Sequence, residues 1–555
     1  MSELINPFEY PPTAQQIDCV NKVLGNRVVK IDAIAGSGKT SSLELVAHNL
    51  KQKSLYLTFS KVLVEEAKDR FPPWVECRTI HSLAFRAEGR FYSHKLNRPD
   101  GKYKNVAATG KEIADFFKMR PVMVEEGIIL STAWLGLMVK KTLAKYEASA
   151  DEYILDKHLP KKDIQDKLNT VKAKVKNKES LDIFTKIHDG ILKYAGQLWE
   201  ERINPDSDVL ITHDTYVKMF ALTQPYLDYD VIYIDEAQDV SEVMLSIVKN
   251  QDHAKLVFVG DRDQNIYSWR HSINAMAEVD CVHGELTQSF RYGKELADIA
   301  SKILGGREVK GFDKVDTKVD FSGLIKNDKY TKIFRTNGAL LSSALKLIQE
   351  GKRLNIETDL GEFIVMLKSA KALFKGKLNQ VKHEEILPYL SWAEFVEEAE
   401  NDPSLERIAS IVEANKADHY LAVLRKHKNV TNPDIIFVTA HKAKGREFSN
   451  VILAEDFNDG YEDGVYKGLS EEEKRLLYVA ATRAIDNLEY NEAVANIIAG
   501  IETEASKMSH NTLPVGITVT PVSNYDWNPF KLPHPKGEMA QDAMERAFSE
   551  EESFL

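Results

Sequence analysis

Nine residues near the start of the chain, Asp32-Ala33-Ile34-Ala35-Gly36-Ser37-Gly38-Lys39-Thr40, combine small side chains, a lysine and a hydroxyl in an order that can grip a phosphate chain. Backbone N–H groups of such a turn converge on a β-phosphate at a helix N-terminus, the lysine bridges β- and γ-phosphates, and the hydroxyl ligands Mg2+. Ala35, Gly36, Ser37, Gly38, Lys39 and Thr40 are therefore read as the cradle for a nucleotide, with ATP and Mg2+ as the expected cofactors. Ala33 stands where the strict pattern has Gly, and a glycine turn that merely starts a helix is the plainer alternative.

Two further constellations suit the same chemistry. The apolar run Val231-Ile232-Tyr233-Ile234 ends in Asp235-Glu236, which places one carboxylate, Asp235, in a Mg2+ shell and leaves Glu236 to polarise an attacking water. The run Leu256 to Gly260 ends in a Gly-Asp turn that carries Gln264, positioned to sense a γ-phosphate. Tyr267 and Trp269, beside Arg270, then make a stacking platform for a single-stranded base, although a core tryptophan is the ordinary alternative.

Elements must position these groups. Val28 to Ile31 reads as a buried strand and Ser41 to Leu50 as a helix with Leu43, Val46, Ala47 and Leu50 on one face. The segment Pro12 to Val20 reads as a turn and helix in which Gln16 can offer its amide to an adenine edge. Leu55 to Lys61 is a second strand with Phe59 at its carboxyl end, and Cys77 to Leu83 brings Arg78, Thr79 and His81 to another. Ligands of open α/β sheets gather at such ends, so Phe59, Lys61, Thr79 and His81 are candidates for contact with a polymer lying across the sheet. Core packing for Phe59 and a helix cap at Ser82 are the bland counterparts.

Composition sets limits. The 555 residues are 43% hydrophobic and 28% charged, ordinary for a soluble globular protein of three or four domains. Three unclustered cysteines, Cys19, Cys77 and Cys281, point to neither zinc nor disulfides and so to a reducing compartment. No signal peptide or membrane span is read, and a cytoplasmic location is expected, nucleoid-associated or, for a viral protein, in the host cytoplasm. The net charge of −11 argues against a broadly basic surface but allows a basic channel. From Phe85 to Glu200 the pattern turns helical without a strong strand signal. The seven lysines between Pro160 and Ser180 form either a solvated face or a phosphate-contacting arm.

Taken in order, these motifs resemble those of superfamily 1 helicases of the UvrD/Rep type, from Gln16 to Ala484. Gln288-Ser289-Phe290-Arg291 resembles the motif in which the aromatic stacks on adenine and the arginine reaches the γ-phosphate. Phe334-Arg335-Thr336-Asn337 resembles the second lobe's Arg-Thr-Asn element. Thr439 to Phe448 resembles the motif whose glutamate, here Glu447, binds ribose. Glu472 to Ala484 resembles the last motif, with Arg483 as a second finger. The resemblance implies catalytic roles for Lys39, Asp235, Glu236, Gln264, Arg291 and Arg483, and DNA contacts that include Arg335, Asn337, Thr439 and His441.

It also implies the fold: two RecA-like P-loop lobes with parallel sheets, at 1–85 with 200–283 and at 284–345 with 430–500. Helical insertions are expected at 86–199 and 346–429, followed by a partly disordered tail at 501–555. The second insertion is shorter than in UvrD proper, which implies weaker self-regulation. Ile211 to Lys218, Ala440 to Gly445, and Thr142-Leu143 with Tyr146, Ser149, Asp151 and His158 resemble the F-box DNA helicase branch. No F-box precedes the first motif, so ubiquitin-ligase function is not expected. Departures from the family pattern are Ile34, Ser60, Arg446 and His271, none of which removes a charged catalytic group. The implied substrates are single-stranded and tailed or forked duplex DNA, with movement 3′ to 5′. A partner-dependent ATP switch is the alternative. Motors of this kind serve repair, replication, recombination control and defence. The proline-rich tail ends in Phe554-Leu555 and is read either as solvated or as a docking peptide for a replication or repair protein.

Overall fold

The computed structural model describes residues 4–96, 108–177, 182–267, 273–326, 329–399, 403–427, 429–458, 460–462 and 465–500. Trp269, Arg270, His271 and the tail lie outside them.

Short apolar runs separated by helices build two parallel sheets. The first comprises β1 (Val28–Ala33), β2 (Ser54–Thr58), β3 (Val75–Thr79), β4 (Val231–Ile234), β5 (Lys255–Gly260) and β6 (Val282–Leu286), in the order β3-β2-β4-β5-β1-β6. All of β2 and β4 is buried, because helices cover both faces; this is why they read as unbroken apolar runs. The pleat divides them between two cores. Val29, Ile31, Tyr56, Tyr233 and Val257 face the helices Ala14–Gly25 and Lys39–Leu50. Leu55, Leu57, Ile232, Ile234, Leu256 and Phe258 face His213–Leu222 and Glu242–Lys249.

The second sheet comprises β7 (Lys318–Asp320), β8 (Tyr330–Phe334), β9 (Leu354–Glu357), β10 (Ile435–Thr439), β11 (Phe448–Leu453) and β12 (Ala484–Glu489), in the order β9-β10-β8-β11-β12-β7. Its core reaches into the first lobe: Ile34, Ala35 and Ile266 pack with Leu296, Leu476 and Tyr478. The phosphate loop is thus wedged between the lobes. β9 falls inside the stretch read as the second insertion. Its parallel pairing to β10, from Leu354 with Ile435 to Glu357 with Val438, makes it a sheet edge, and the helical part begins only at Leu360.

The first helical stretch centres on Thr132–Ala148 and Ile183–Ile203. It also holds a short antiparallel pair, Val122–Glu125 with Ile128–Leu130, which the helical pattern concealed. Tyr146, Ser149, Asp151 and His158 form a buried knot: His158 bonds Asp151 at 2.9 Å, and Lys218 donates to the Ser149 and Asp151 carbonyls. The lysine run is not a uniform solvated arm. Lys167 is 5% exposed and meets both Glu394 and Glu398 at 2.6 Å, and Lys174 meets Glu397. These pairs clasp helix Lys161–Lys172 and its following turn to helix Trp392–Ala399. Among the described residues no helix is long and apolar enough to cross a membrane.

Candidate functional site

The turn after β1 is shaped by two glycines in the left-handed region, Gly36 at φ +75° and Gly38 at φ +78°. A Cβ at Gly36 would lie 2.6 Å from Ser289 Oγ and 2.7 Å from Arg291 Cβ, so no larger residue fits there. Helix Lys39–Leu50 has no side-chain N-cap, which leaves its first N–H groups and positive dipole end for an anion. Ser37 braces the turn through the Ile34 carbonyl, and the Phe290 N–H donates to the Gly36 carbonyl at 2.8 Å.

The carboxylate pair lies beside this turn. Thr40 Oγ1 and Tyr56 Oη both donate to Asp235 Oδ2, at 3.1 and 2.7 Å. Asp235 is 2% exposed, and burial, then the neighbouring Glu236, push its pKa up. A hydroxyl and a carboxylate are the hard oxygen donors that Mg2+ prefers, and a dication would offset the buried charge. Two protein oxygens would leave the rest of an octahedral Mg2+ shell to phosphate oxygens and water.

Glu236 sits at φ +53°, a conformation that costs a non-glycine residue about 1–3 kcal/mol and marks a constrained site. Its carboxylate lies 3.5 Å from Lys39 Nζ and accepts from Gln238 Nε2 at 2.5 Å. Burial would raise its pKa, but Lys39, Lys444 and the Gln238 amide carry it down to about 2. It is therefore fully charged at neutral pH, suited to orienting a water through a hydrogen bond.

Groups from the far lobe close over this pair. Arg483 is 1% exposed, and among the described residues its guanidinium meets neutral acceptors: the Val479 and Arg446 carbonyls, Thr482 Oγ1, and Gln264 Oε1 at 3.3 Å. Burial, then Arg291, pull its pKa down to about 9. A buried cation with no carboxylate in contact is electrostatically poised for an anion. Gln264 Nε2 donates to Asp261 at 2.8 Å. Arg291 is held by Glu447 at 2.7 Å and by the Thr482 carbonyl, so the residues read as γ-phosphate finger and ribose ligand are paired with each other. Gln16 is buried; its Oε1 accepts the Thr13 N–H in the capping box, and its Nε2 donates to Ser42 Oγ at 3.4 Å on the helix that follows the phosphate loop. Phe290, by contrast, is partly exposed, with its edge against Phe312.

The candidate polymer contacts divide into two sets. Phe59 is 42% exposed just beyond β2, edge-on to His81, which is in turn edge-on to Tyr216; exposed Lys61 follows. Phe59 is therefore not core packing. Thr79, not Ser82, caps the next helix, accepting from the Ser82 N–H. Asn337 is exposed, and Arg335 is paired with Glu473. Tyr267 and His441, however, stitch the lobes together: Tyr267 Oη donates to the His441 carbonyl, and His441 Nε2 bonds the Ile266 carbonyl. Thr439 is buried at the end of β10.

Sequence reasoning gave no role to Gln238, Asp239, Lys444, Tyr478 and Arg307, which complete the site. Lys444 bonds Asp239 at 2.5 Å and the Gln264 carbonyl, and Tyr478 Oη donates to Asp261 at 2.9 Å. Lys444 and Tyr478 lie within stretches singled out by their motifs, and Gln238 and Asp239 closely follow one; Arg307 lies between motifs, where only the fold reveals it.

Comparison with known proteins agrees with this geometry. The UvrD/REP helicase N-terminal domain matches residues 13–278, and the UvrD-like helicase C-terminal domain matches 312–490. F-box DNA helicase 1 of Gallus gallus is 30% identical over 522 residues, covering 86% of this chain and 49% of that protein. F-box DNA helicase protein 1 of Schizosaccharomyces pombe is 28% identical over 517 residues, covering 85% and 56%. A probable DNA helicase II homolog of Mycoplasma capricolum is 29% identical over 99 residues, 16% of this chain and 13% of that protein. The chain thus spans about half the length of the two F-box relatives.

Proposed function

Because the chain belongs to the UvrD-like helicase family, we propose that it is an ATP-dependent DNA helicase that moves 3′ to 5′ along a single strand and separates duplex ahead of it. The observation that carries this reading is Arg483, a buried cation that among the described residues has no carboxylate in hydrogen-bond contact, reaching Gln264 from the lobe opposite the phosphate loop. Such a charge is satisfied by a γ-phosphate lodged between the lobes.

In this reading Lys39 and the loop N–H groups bind the β- and γ-phosphates, and Glu236 orients the attacking water. Thr40 and Asp235 would hold Mg2+, which supplies charge neutralisation at the β- and γ-oxygens. Arg291 leaves Glu447 to join Arg483 at the γ-phosphate, which frees Glu447 for the ribose and Phe290 for the adenine. Closure follows triphosphate binding and reopening follows hydrolysis. Phe59, Lys61, Thr79 and His81 on one lobe, with Arg335 and Asn337 on the other, then pass the strand along. Trp269 and Arg270, outside the described residues, are assigned to the same role by their motif alone. Its place of action is wherever DNA is accessible, the cytoplasm or nucleoid.

Strand displacement on two otherwise identical duplexes, one with a 3′ tail and one with a 5′ tail, tests this. Unwinding from the 3′ tail alone is expected. ATPase stimulated by single strands without unwinding on either substrate overturns the helicase reading in favour of a translocase or a partner-dependent switch.

A further inference from the structure

Three carboxylates converge on one arginine at the junction of the lobes. Arg307 lies in the turn after helix Lys294–Ile303, and its side chain is 12% exposed. It meets Asp32 at 2.9 Å, Asp261 at 3.1 Å and Asp263. Asp32 is the penultimate residue of the strand that enters the phosphate loop, and Asp261 and Asp263 follow β5. The only other cation in contact with this acidic triad, among the described residues, is half-exposed Arg262, 3.4 Å from Asp32. The three carboxylates in turn hold the Arg307 pKa well above its ordinary value.

Asp261 is the hub. Besides Arg307 it accepts from Gln264 Nε2 at 2.8 Å and from Tyr478 Oη at 2.9 Å. Tyr478 Oη itself accepts the N–H of Ala35 in the phosphate loop, at 2.9 Å. Tyr478 lies on helix Glu471–Ala481, which ends two residues before Arg483. One carboxylate thereby joins the turn bearing Gln264, a phosphate-loop amide, and two segments of the second lobe's core.

We propose that Arg307 and Tyr478 are positioning residues that make the phosphate loop and Gln264 respond to movement of the second lobe. With Asp261 pinned by Arg307, the Gln264 amide has one orientation: N–H toward Asp261 and carbonyl oxygen toward Arg483. Sliding of helix Glu471–Ala481 pulls on the Ala35 N–H through the Tyr478 hydroxyl. This rests on the ATP-motor reading and assigns it a coupling device outside the groups that touch nucleotide.

The test uses the full chain with Tyr478→Phe, which removes one oxygen, and with Arg307→Met and Arg307→Lys. The readouts are single-strand-stimulated ATP turnover, Kd for a non-hydrolysable ATP analogue, ATP consumed per nucleotide travelled, and Tm. Tyr478→Phe and Arg307→Met are expected to lower kcat at least tenfold and to raise ATP consumed per nucleotide, with the analogue Kd changed less than threefold. Arg307→Lys, which keeps the charge, should recover part of the loss. Wild-type ATP consumption per nucleotide in both Tyr478→Phe and Arg307→Lys, whatever Arg307→Met does to Tm, overturns the proposal. A wild-type chain without DNA-stimulated ATPase instead overturns the functional reading beneath it.

Discussion

At the scale of single residues, the most consequential assignment is Glu236. Glu236 sits at a strained φ with its carboxylate held by Lys39 and Gln238, so Glu236→Gln keeps the shape and removes the charge proposed to orient water. Loss of a positioned base typically removes about 10²–10⁴ in rate, and turnover should fall by that order while the Kd of an ATP analogue stays within a few-fold. Normal steady-state hydrolysis in this variant would refute the role. Asp239 offers a pH test. Burial, outweighing the Lys444 pairing, lifts its pKa from the ordinary 3.8 to about 6. Above pH 6 it is charged and bonded to Lys444 across the lobes; below, the pair is lost. DNA-stimulated ATPase should therefore drop on the acid side of about pH 6, and Asp239→Asn should show the low rate at pH 7.5 without that inflection. The stability sign is the reverse. A carboxyl whose folded value is raised contributes stability that is present below about pH 4 and lost as pH rises through 6. A wild-type rate flat from pH 5.5 to 7.5 would count against Asp239 as the titrating link. Legibility at this scale followed chemistry: Lys39, Thr40, Asp235, Glu236 and Gln264 could be named because phosphate chemistry demands their types in order, and Arg483 through the resemblance of its motif. Tyr478 and Lys444 serve the same site through neutral or paired contacts, which leave no such signature.

At the scale of elements, β1, β2, β4 and β5 of the first sheet were legible because burial on both faces writes itself as apolar runs such as Val231–Ile234, whereas β6 and the strands of the second sheet were not read as strands. β9 was not, since Leu354-Asn355-Ile356-Glu357 is an edge strand with alternating burial and lies among helices. That matters for testing self-regulation. Deleting 346–429 would remove β9 and the helix Leu360–Phe374, whose Leu367 and Leu373 share a core with Phe334, Leu340 and Phe437 of the lobe. Point substitution at the clasp is the cleaner probe. Lys167 is buried against Glu394 and Glu398, so Lys167→Ala leaves two carboxylates uncompensated and should reduce stability by about 3–5 kcal/mol. Lys174 and Glu397 are both exposed, and Lys174→Ala should change it by less than about 1 kcal/mol. Urea unfolding of the two variants decides this; equal effects would mean that the clasp is a surface pairing throughout.

At the scale of the whole molecule, net charge and substrate pull in opposite directions. A chain of charge −11 repels a polyanion on average, and of the lysine run the structure turns Lys167 inward onto Glu394 and Glu398 while Lys161, Lys162, Lys172, Lys174 and Lys176 stay exposed. In the proposed reading the grip on DNA is a narrow track apart from that run: stacking at Phe59, worth about 1–3 kcal/mol per base, and a few cations such as Lys61 and Arg335. With three or four phosphate contacts, log K for a single strand should fall with log salt at a slope of roughly −2 to −3. Blunt duplex, which offers phosphates but no exposed base faces, should bind far more weakly at every salt concentration. Fluorescence anisotropy between 50 and 300 mM salt, titrating about a dozen nucleotides of single strand and a blunt duplex of equal length, measures both. A slope steeper than about −5, or equal affinity for the two, would require a broad basic surface opened by release of the Lys167 clasp. The experiment would then be repeated on Glu394→Gln/Glu398→Gln, in which Lys167 loses both carboxylate partners.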